Sequence, residues 1–392
     1  QYIWIGNPGR LYGVLSMFSS QKWTNKAILN DSKIRDLIEH LSKRKLGNKD
    51  YPADLMGDAY EILLKKFADD SKAQAGEFYT PRSVVRLLVH ILDPQPGETV
   101  YDPACGSGGM LIEAIRYMHD DSLCCGSIFG QEKNVVNSAI VKMNLFLYGA
   151  CDFNVMQGDT LRDPKILQGG NIAKFDCVIA NPPFSLENWG ATEWSSDKYK
   201  RNIYGTPSDS CGDYAWIQHM ICSMSSGKGR MAVVMPQGIL FRGNQEAEIR
   251  KQLVESDLIE AVVTLGDKLF YGTGLSPCFL IIRRMKQAHH SGRILMIDGS
   301  KILTQKRAQN ILEENDIDRL YSLYQNYADE EDYSRIVTLQ EIRDKEYNLS
   351  PNRYVVYHKE EIRPYAEVLA EFKQAYADVK RLENEFSLLI NA

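Results

Sequence analysis

The chain has 392 residues, a formal net charge of −5, and a composition that is 44% hydrophobic and 25% charged. That suits one large globular domain or a main domain with a smaller companion, and it argues against a protein that grips nucleic acid by its overall charge, because phosphate contact rests on Lys and Arg. No apolar run reaches the roughly 18 residues needed to span a membrane, and the eight cysteines form neither a CxxC pair nor a dense framework, so they are expected to be reduced, intracellular and mostly buried.

Residues 1–30 mix aromatics with glycine and fit no clear periodicity. No signal peptide is visible, and the opening at Gln1 implies that an original N-terminus was removed or is not represented. Helical spacing begins near Ser32 and returns over residues 55–67, where Leu55, Ala59, Ile62, Leu63 and Phe67 form one stripe. A polar break at 43–50 separates the two segments. Residues 76–81 form a turn into a helix, which Thr80 can cap and in whose first turn Pro81 fits.

From residue 98 the pattern changes to strands alternating with helices. Strands are expected at 99–101, 128–129, 153–156, 175–180, 231–235, 261–265 and 278–282, with helices at 110–118 and 133–147. Such alternation predicts a mainly parallel, seven-stranded sheet covered on both faces. Ligands of these sheets sit beyond the C-terminal strand ends. The tail over 360–391 repeats Tyr365, Val368, Phe372, Ala375, Val379, Leu382 and Phe386 at spacings of three and four, which predicts one long amphipathic helix. It packs on its own domain or docks onto another subunit.

Two motifs close strand-like runs. The first is Asp102-Pro103-Ala104-Cys105-Gly106-Ser107-Gly108-Gly109. Its glycines let backbone approach a ligand and turn into a helix. Asp102 would oppose a pyrophosphate, and no Gly-Lys-Ser or Gly-Lys-Thr follows, so dinucleotide and triphosphate loops fit poorly. A cationic sulfonium cofactor welcomes the carboxylate. Glu132 ends the second strand, where it either accepts from ribose hydroxyls or is a solvated loop residue. Asp159 follows the third strand and either accepts from the cofactor's adenine amine or shapes a turn before Thr160. Phe78, Tyr79 and Thr80 either fold over the methionyl end or, for the two aromatics, pack in the core.

The second motif is Asn181-Pro182-Pro183-Phe184. An exocyclic base amine is a poor nucleophile because its lone pair is delocalised into the ring. Asn181 offers a side-chain carbonyl acceptor and Pro182 a directed main-chain carbonyl. Phe184 offers a face on which an extruded base stacks, or else it packs the loop against the core. The pair of motifs points to direct methyl transfer from S-adenosylmethionine to adenine N6. Cys105 stands in the wrong loop for a cytosine-C5 nucleophile, and no His/Cys cluster suggests a metal; His289 and His290 are adjacent but make no site alone.

These residues resemble the modification (M) subunit of type I restriction-modification systems, the gamma-like adenine-N6 DNA methyltransferases. The resemblance runs through Gly57-Asp58-Ala59-Tyr60-Glu61, Gly76-Glu77-Phe78-Tyr79-Thr80-Pro81, the run from Asp102 to Met110, Gly130-Gln131-Glu132, Asn181 to Ser185, and the stretch from Tyr347 to Tyr354. It implies a class I S-adenosylmethionine-dependent methyltransferase domain over 71–357, a shortened N-terminal helical region over 1–70 and a helical tail over 358–392. It implies cofactor binding by Phe78, Tyr79, Thr80, Asp102, Gly106, Ser107, Gly108, Gly109, Glu132, Asp159 and Asn181, and catalysis by Asn181, Pro182 and Phe184. It also implies a cytoplasmic bacterial or archaeal protein with a specificity (S) subunit, a second M subunit, a restriction (R) subunit and double-stranded DNA as partners. A protein glutamine methyltransferase, which usually carries Tyr in place of Phe184, and a catalytically silent assembly subunit remain open.

Overall fold

Side-chain alternation decides the architecture, because one strand can feed two cores. The computed structural model describes residues 31–43, 80–118, 126–150, 152–270, 276–306, 309–358 and 365–390. Contacts divide the chain into two units, Gln1–Val356 and Tyr357–Ala392.

The first unit is built on β1 (Thr99–Asp102), β2 (Ser127–Glu132), β3 (Asp152–Gln157), β6 (Cys177–Ala180), β7 (Arg230–Pro236), β8 (Ile259–Leu265), β9 (Pro277–Arg283), β10 (Arg293–Gly299) and β11 (Ser334–Thr338). The short strands β4 (Leu167–Gln168) and β5 (Asn171–Ile172) pair only with each other. The main sheet runs β11-β10-β8-β9-β7-β6-β1-β2-β3. Only β9 and the edge strand β11 are antiparallel to their neighbours. All seven strands expected from the sequence are present, and β10 and β11 extend the sheet beyond them. The fourth strand is shorter than the expected 175–180, because Phe175 makes an isolated bridge to Met224 before the strand begins.

Helices α1 (Asp31–Ser42), α2 (Arg82–Leu92), α3 (Gly109–Met118), α4 (Val135–Leu147), α5 (Ala191–Ser195), α6 (Asp213–Ser223), α7 (Asn244–Glu255), α8 (Glu314–Asn326) and α9 (Leu339–Asp344) complete the described part of the unit. Alternate residues of β6 face opposite layers. Cys177 and Ile179 pack with Val84, Leu111, Val141 and Leu320 of the helices on one face, and Val178 and Ala180 pack with Ile217, Met220, Ile249 and Leu253 on the other. β7 splits in the same way, with Ala232 and Val234 on the first face and Met231, Val233 and Met235 on the second. The centre of the sheet is buried on both sides, so β6, β7 and β9 are mostly apolar, whereas the edge strand β3 alternates buried and exposed residues.

The expected helix over 55–67, most of the break at 43–50, Phe78 and Tyr79 lie outside the described residues. At the start of α2 the structure corrects one expectation. Pro81 itself occupies the capping position, and its carbonyl accepts from Val85 N–H at 3.0 Å without any side-chain cap. Thr80 is not the cap because its hydroxyl is engaged elsewhere, with Asn181. The second unit carries α10 (Tyr365–Ile390). A single helix cannot bury its own stripe, so Tyr365, Val368, Phe372, Val379, Leu382 and Phe386 find no core within that unit.

Candidate active site

Asp102 ends β1 and Asn181 directly follows β6, so the parallel pairing that sets Tyr101 against Val178 brings both motif loops to one edge of the sheet. Two adjoining cavities open there. One is lined by Thr80, Asp102, Gly106, Ser107, Gly109 and Asn181 among others. The other has a volume of about 400 Å³ and is lined by Pro103, Glu132, Asp159, Asn181, Pro183 and Trp216 among others. Ala104, Gly106 and Asn181 line both and stand at the junction. The larger volume is that of a small-molecule site.

The glycine loop is shaped from below. Gly106 and Gly108 adopt φ of +52° and +91°, and Gly106 has open space where a side chain would project. Gly108 serves packing instead: a Cβ there would lie 2.6 Å from Val141 of α4. Glu132 holds the loop, accepting from Gly106 N–H at 2.9 Å and, with its other oxygen, from Asn134 N–H at 2.7 Å. Asn134 then caps α4 through Val136 and Asn137 N–H. The two carboxylates at the loop are unequal. Asp102 is buried, accepts from Ala104 N–H at 2.9 Å, and is pushed up to about 8 by burial, with the Glu132 charge adding to the rise. Burial also raises Glu132. Cys105 is held far from its thiolate by burial, so it is no nucleophile.

Asp159 lines the larger cavity and also shapes its turn, accepting from Arg162 N–H at 3.3 Å and pairing with Lys133 at 2.9 Å. Thr160 ties this turn to the first motif by donating its hydroxyl to the Pro103 carbonyl at 2.6 Å.

Asn181 carries the most pointed observation. Its Nδ2 donates to Thr80 Oγ1 at 2.8 Å, which fixes the carboxamide, and its Oδ1 is buried with no hydrogen-bond partner among the described residues. A buried acceptor left unmade is costly. A ligand N–H placed there would satisfy it. Pro182 is buried and Pro183 lines the cavity. Phe184 is half-buried with its ring 6.4 Å from that of Phe270.

The chain belongs to the N-6 DNA methylase family. That family's model matches residues 51–362. The chain is 37% identical over 365 residues to the type I restriction enzyme MjaVII methylase subunit of Methanocaldococcus jannaschii, covering 90% of this chain and 61% of that protein. To the HindI methylase subunit of Haemophilus influenzae it is 32% identical, covering 85% of this chain and 76% of the relative. The solved methyltransferase subunit of a type I restriction-modification system from Streptococcus thermophilus superposes with a TM-score of 0.75 at 29% identity, over 83% of this chain and 68% of that one. This chain thus spans about three-fifths of the length of the first of these relatives. In order of appearance, the first seven main-sheet strands run 3-2-1-4-5-7-6 with the seventh reversed, the class I S-adenosylmethionine-dependent methyltransferase fold.

Three supporting residues of the site escape a reading of the sequence. Asp213, fully buried at the start of α6, accepts from Ser185 N–H at 2.7 Å and from Arg242 at 2.7 Å. It holds the exit of the Asn-Pro-Pro-Phe loop, where Ser185 takes a φ of +49°. Arg242 also reaches Cys211 Sγ at 3.0 Å and Glu246 at 3.3 Å, so a guanidinium meets the charge of a cluster whose spacing resembles a metal site. Arg201, almost wholly buried, donates to the Thr160 and Leu161 carbonyls at 2.9 and 2.7 Å and pairs with Asp197 at 2.8 Å. Its position 40 residues beyond Leu161 gave no local signal. Asp213 had a weak one, an acidic residue opening a helix after glycine.

Proposed function

We propose that this chain is the methyl-transferring subunit of a type I restriction-modification complex, a site-specific adenine-N6 DNA methyltransferase (EC 2.1.1.72) that works with an S subunit, a second M subunit and, for cleavage, an R subunit. The observation that carries the reading is the buried, unpartnered Asn181 Oδ1 at the junction of the two cavities. The residues also fit S-adenosylmethionine. Glu132 retains lone pairs for ribose hydroxyls, Asp159 lies in the same cavity, and Asp102 offers a carboxylate to a cationic methionyl end. When bound, this cofactor supplies an electrophilic methyl group.

Asn181 Oδ1 accepts one hydrogen of the adenine amine, and the Pro182 carbonyl accepts the other. Both bonds favour a pyramidal nitrogen whose lone pair is free to attack. Thr80 keeps the carboxamide from rotating, and Asp213 keeps the loop in register. Phe184 stacks on the extruded base. Rate comes from placement and matched electrostatics, without a covalent enzyme intermediate. The catalytic domain spans residues 71–357, and the exposed apolar stripe of the tail helix packs on its own domain or serves as a subunit-docking element. Target reading falls to the S subunit, which accords with the net charge of −5. The protein is expected in the bacterial or archaeal cytoplasm; among the described residues no helix is long and apolar enough to cross a membrane.

The deciding experiment measures radiolabel transfer from S-adenosylmethionine with and without the S subunit, then maps methylated adenines. Sequence-specific N6-methyladenine only in the reconstituted complex is expected. Label on protein glutamine, or none in a complex that binds cofactor, overturns the reading.

Two further results are expected. Asp102 is mostly protonated at pH 7 because burial lifts its folded value to about 8. A cationic ligand favours the ionised form, so binding at pH 7 should release about one proton. Calorimetry in buffers of different ionisation enthalpy measures this, and Asp102→Asn should abolish the release. An equal release from that variant removes Asp102 from the role. Phe184→Ala should weaken capture of a fluorescent adenine analogue at the target position by roughly tenfold or more, while Tyr or Trp there costs less. Unchanged capture by an alanine variant with lowered thermal stability makes Phe184 a packing residue against Phe270.

A further inference from the structure

The larger cavity at the catalytic edge has a buried donor in its wall as well as acceptors. Trp216 stands on α6 three residues after Asp213, so the helix face that holds the exit of the Asn-Pro-Pro-Phe loop also carries this indole. The residue is 5% exposed and lines the cavity with Glu132, Asp159, Pro183 and Leu186 among others. Its indole N–H is buried with no hydrogen-bond partner among the described residues. A buried indole donor ordinarily finds an acceptor, and leaving that bond unmade is costly.

The packing neighbours supply none. Trp216 clusters with Leu161, Trp189, Trp194 and Ala215, whose side chains offer no oxygen or carboxamide to accept it. Trp189 shows the ordinary outcome, donating its N–H to the Ser208 carbonyl at 2.8 Å. The Trp194 N–H also lacks a partner, but that ring stands edge-on to Trp189 at 5.5 Å between centroids and lines neither cavity of the site. Trp216 alone in this cluster combines an unmade donor with a place in the cavity wall.

The wall chemistry narrows what the donor meets. An indole N–H cannot accept, so it cannot serve a purine's exocyclic amine. Pro183, Leu186 and the Trp216 ring give the cavity an apolar part suited to a flat base, and Glu132 is an acceptor suited to hydroxyls. A base of this kind presents its amine to a carboxylate and its unprotonated ring nitrogens to an N–H.

On the reading that this cavity takes the adenosyl end of S-adenosylmethionine, we propose that the Trp216 indole N–H donates to an unprotonated ring nitrogen of the cofactor's adenine. Trp216 is then a cofactor-binding residue that selects for the base by hydrogen bonding, in addition to walling the cavity.

Calorimetric titration of the full chain with S-adenosylhomocysteine and with its 1-deaza, 3-deaza and 7-deaza counterparts, each with C–H in place of one ring nitrogen, tests this. Wild type should bind the parent compound, and Trp216→Phe should bind it about tenfold more weakly. One deaza compound should bind both proteins equally, because its acceptor is gone, and the other two should keep the difference. Replacing the indole of Trp216 by benzothiophene keeps the ring shape, removes only the N–H and should give the same pattern if Trp216→Phe fails to fold. A folded wild-type chain that binds none of the compounds overturns the adenosyl reading and this inference with it. Wild-type affinity for the parent compound in the folded variants, or a loss of the same size for the parent and all three deaza compounds, overturns this inference alone and leaves Trp216 a packing residue.

Discussion

Asn181→Ala is expected to lower single-turnover methyl transfer by about a thousandfold while S-adenosylmethionine affinity changes less than threefold, about 0.6 kcal/mol. The acceptor that is lost, Oδ1, is buried and has no protein partner in the described residues. Its proposed bond is therefore to the substrate alone, strengthening as the amine nitrogen becomes positive on attack. Removing one such preorganised group from a water-excluded site costs about 3–4 kcal/mol. Thr80→Val supplies the control. It removes the partner of Asn181 Nδ2, leaves the acceptor in place and frees the carboxamide to rotate. A loss of about tenfold is expected, consistent with one neutral hydrogen bond. Single-turnover rates in the complex with the S subunit, paired with calorimetric cofactor binding, separate these effects. Near-wild-type transfer by Asn181→Ala would refute the assignment, and a Thr80→Val loss equal to that of Asn181→Ala would shift the role to the hydroxyl.

The largest stability change should follow Arg201→Met. The guanidinium makes bonds of 2.8 and 3.0 Å to Asp197, holds the Thr160 and Leu161 carbonyls, contacts His219 Nδ1 at 3.3 Å and lies 4.4 Å over the Trp194 ring. Methionine fills much of the volume but leaves Asp197, whose side chain is only 7% exposed, with no guanidinium. Breaking one side of a buried pair costs about 3–5 kcal/mol. The double variant Asp197→Asn/Arg201→Met removes the stranded charge and should recover a good part of that loss. Denaturant midpoints measure both. Because Thr160 bonds Pro103, the single variant should also weaken cofactor binding at temperatures where it remains folded. A stability loss under 1 kcal/mol would show that water replaces the guanidinium without penalty.

Much of the fold is legible in local pattern. Apolar runs such as Cys177–Ala180 and Ile259–Leu265 show where a doubly covered sheet needs strands, and turn chemistry shows where they stop. The two motif loops could be placed at one edge before any tertiary contact was known, because parallel strands present all their C-terminal ends together. Glu132 at the end of β2 follows from the same rule.

The sequence by itself therefore determined seven of the main-sheet strands and which residue types stand in the two loops, since these depend on residue type and short spacing. Tertiary structure alone decided how the loops are held. Thr80 looked like a helix cap, and only the fold brings Asn181, 101 residues away, within 2.8 Å of its hydroxyl. Arg201 pairs with Asp197 but ties down the Thr160 turn through main-chain carbonyls, which every residue possesses, so no partner type could betray that tie. The strands Arg293–Gly299 and Ser334–Thr338 likewise extend the sheet because β8 leaves an edge to be paired, and an unpaired edge is a property of the sheet that no short stretch of sequence displays.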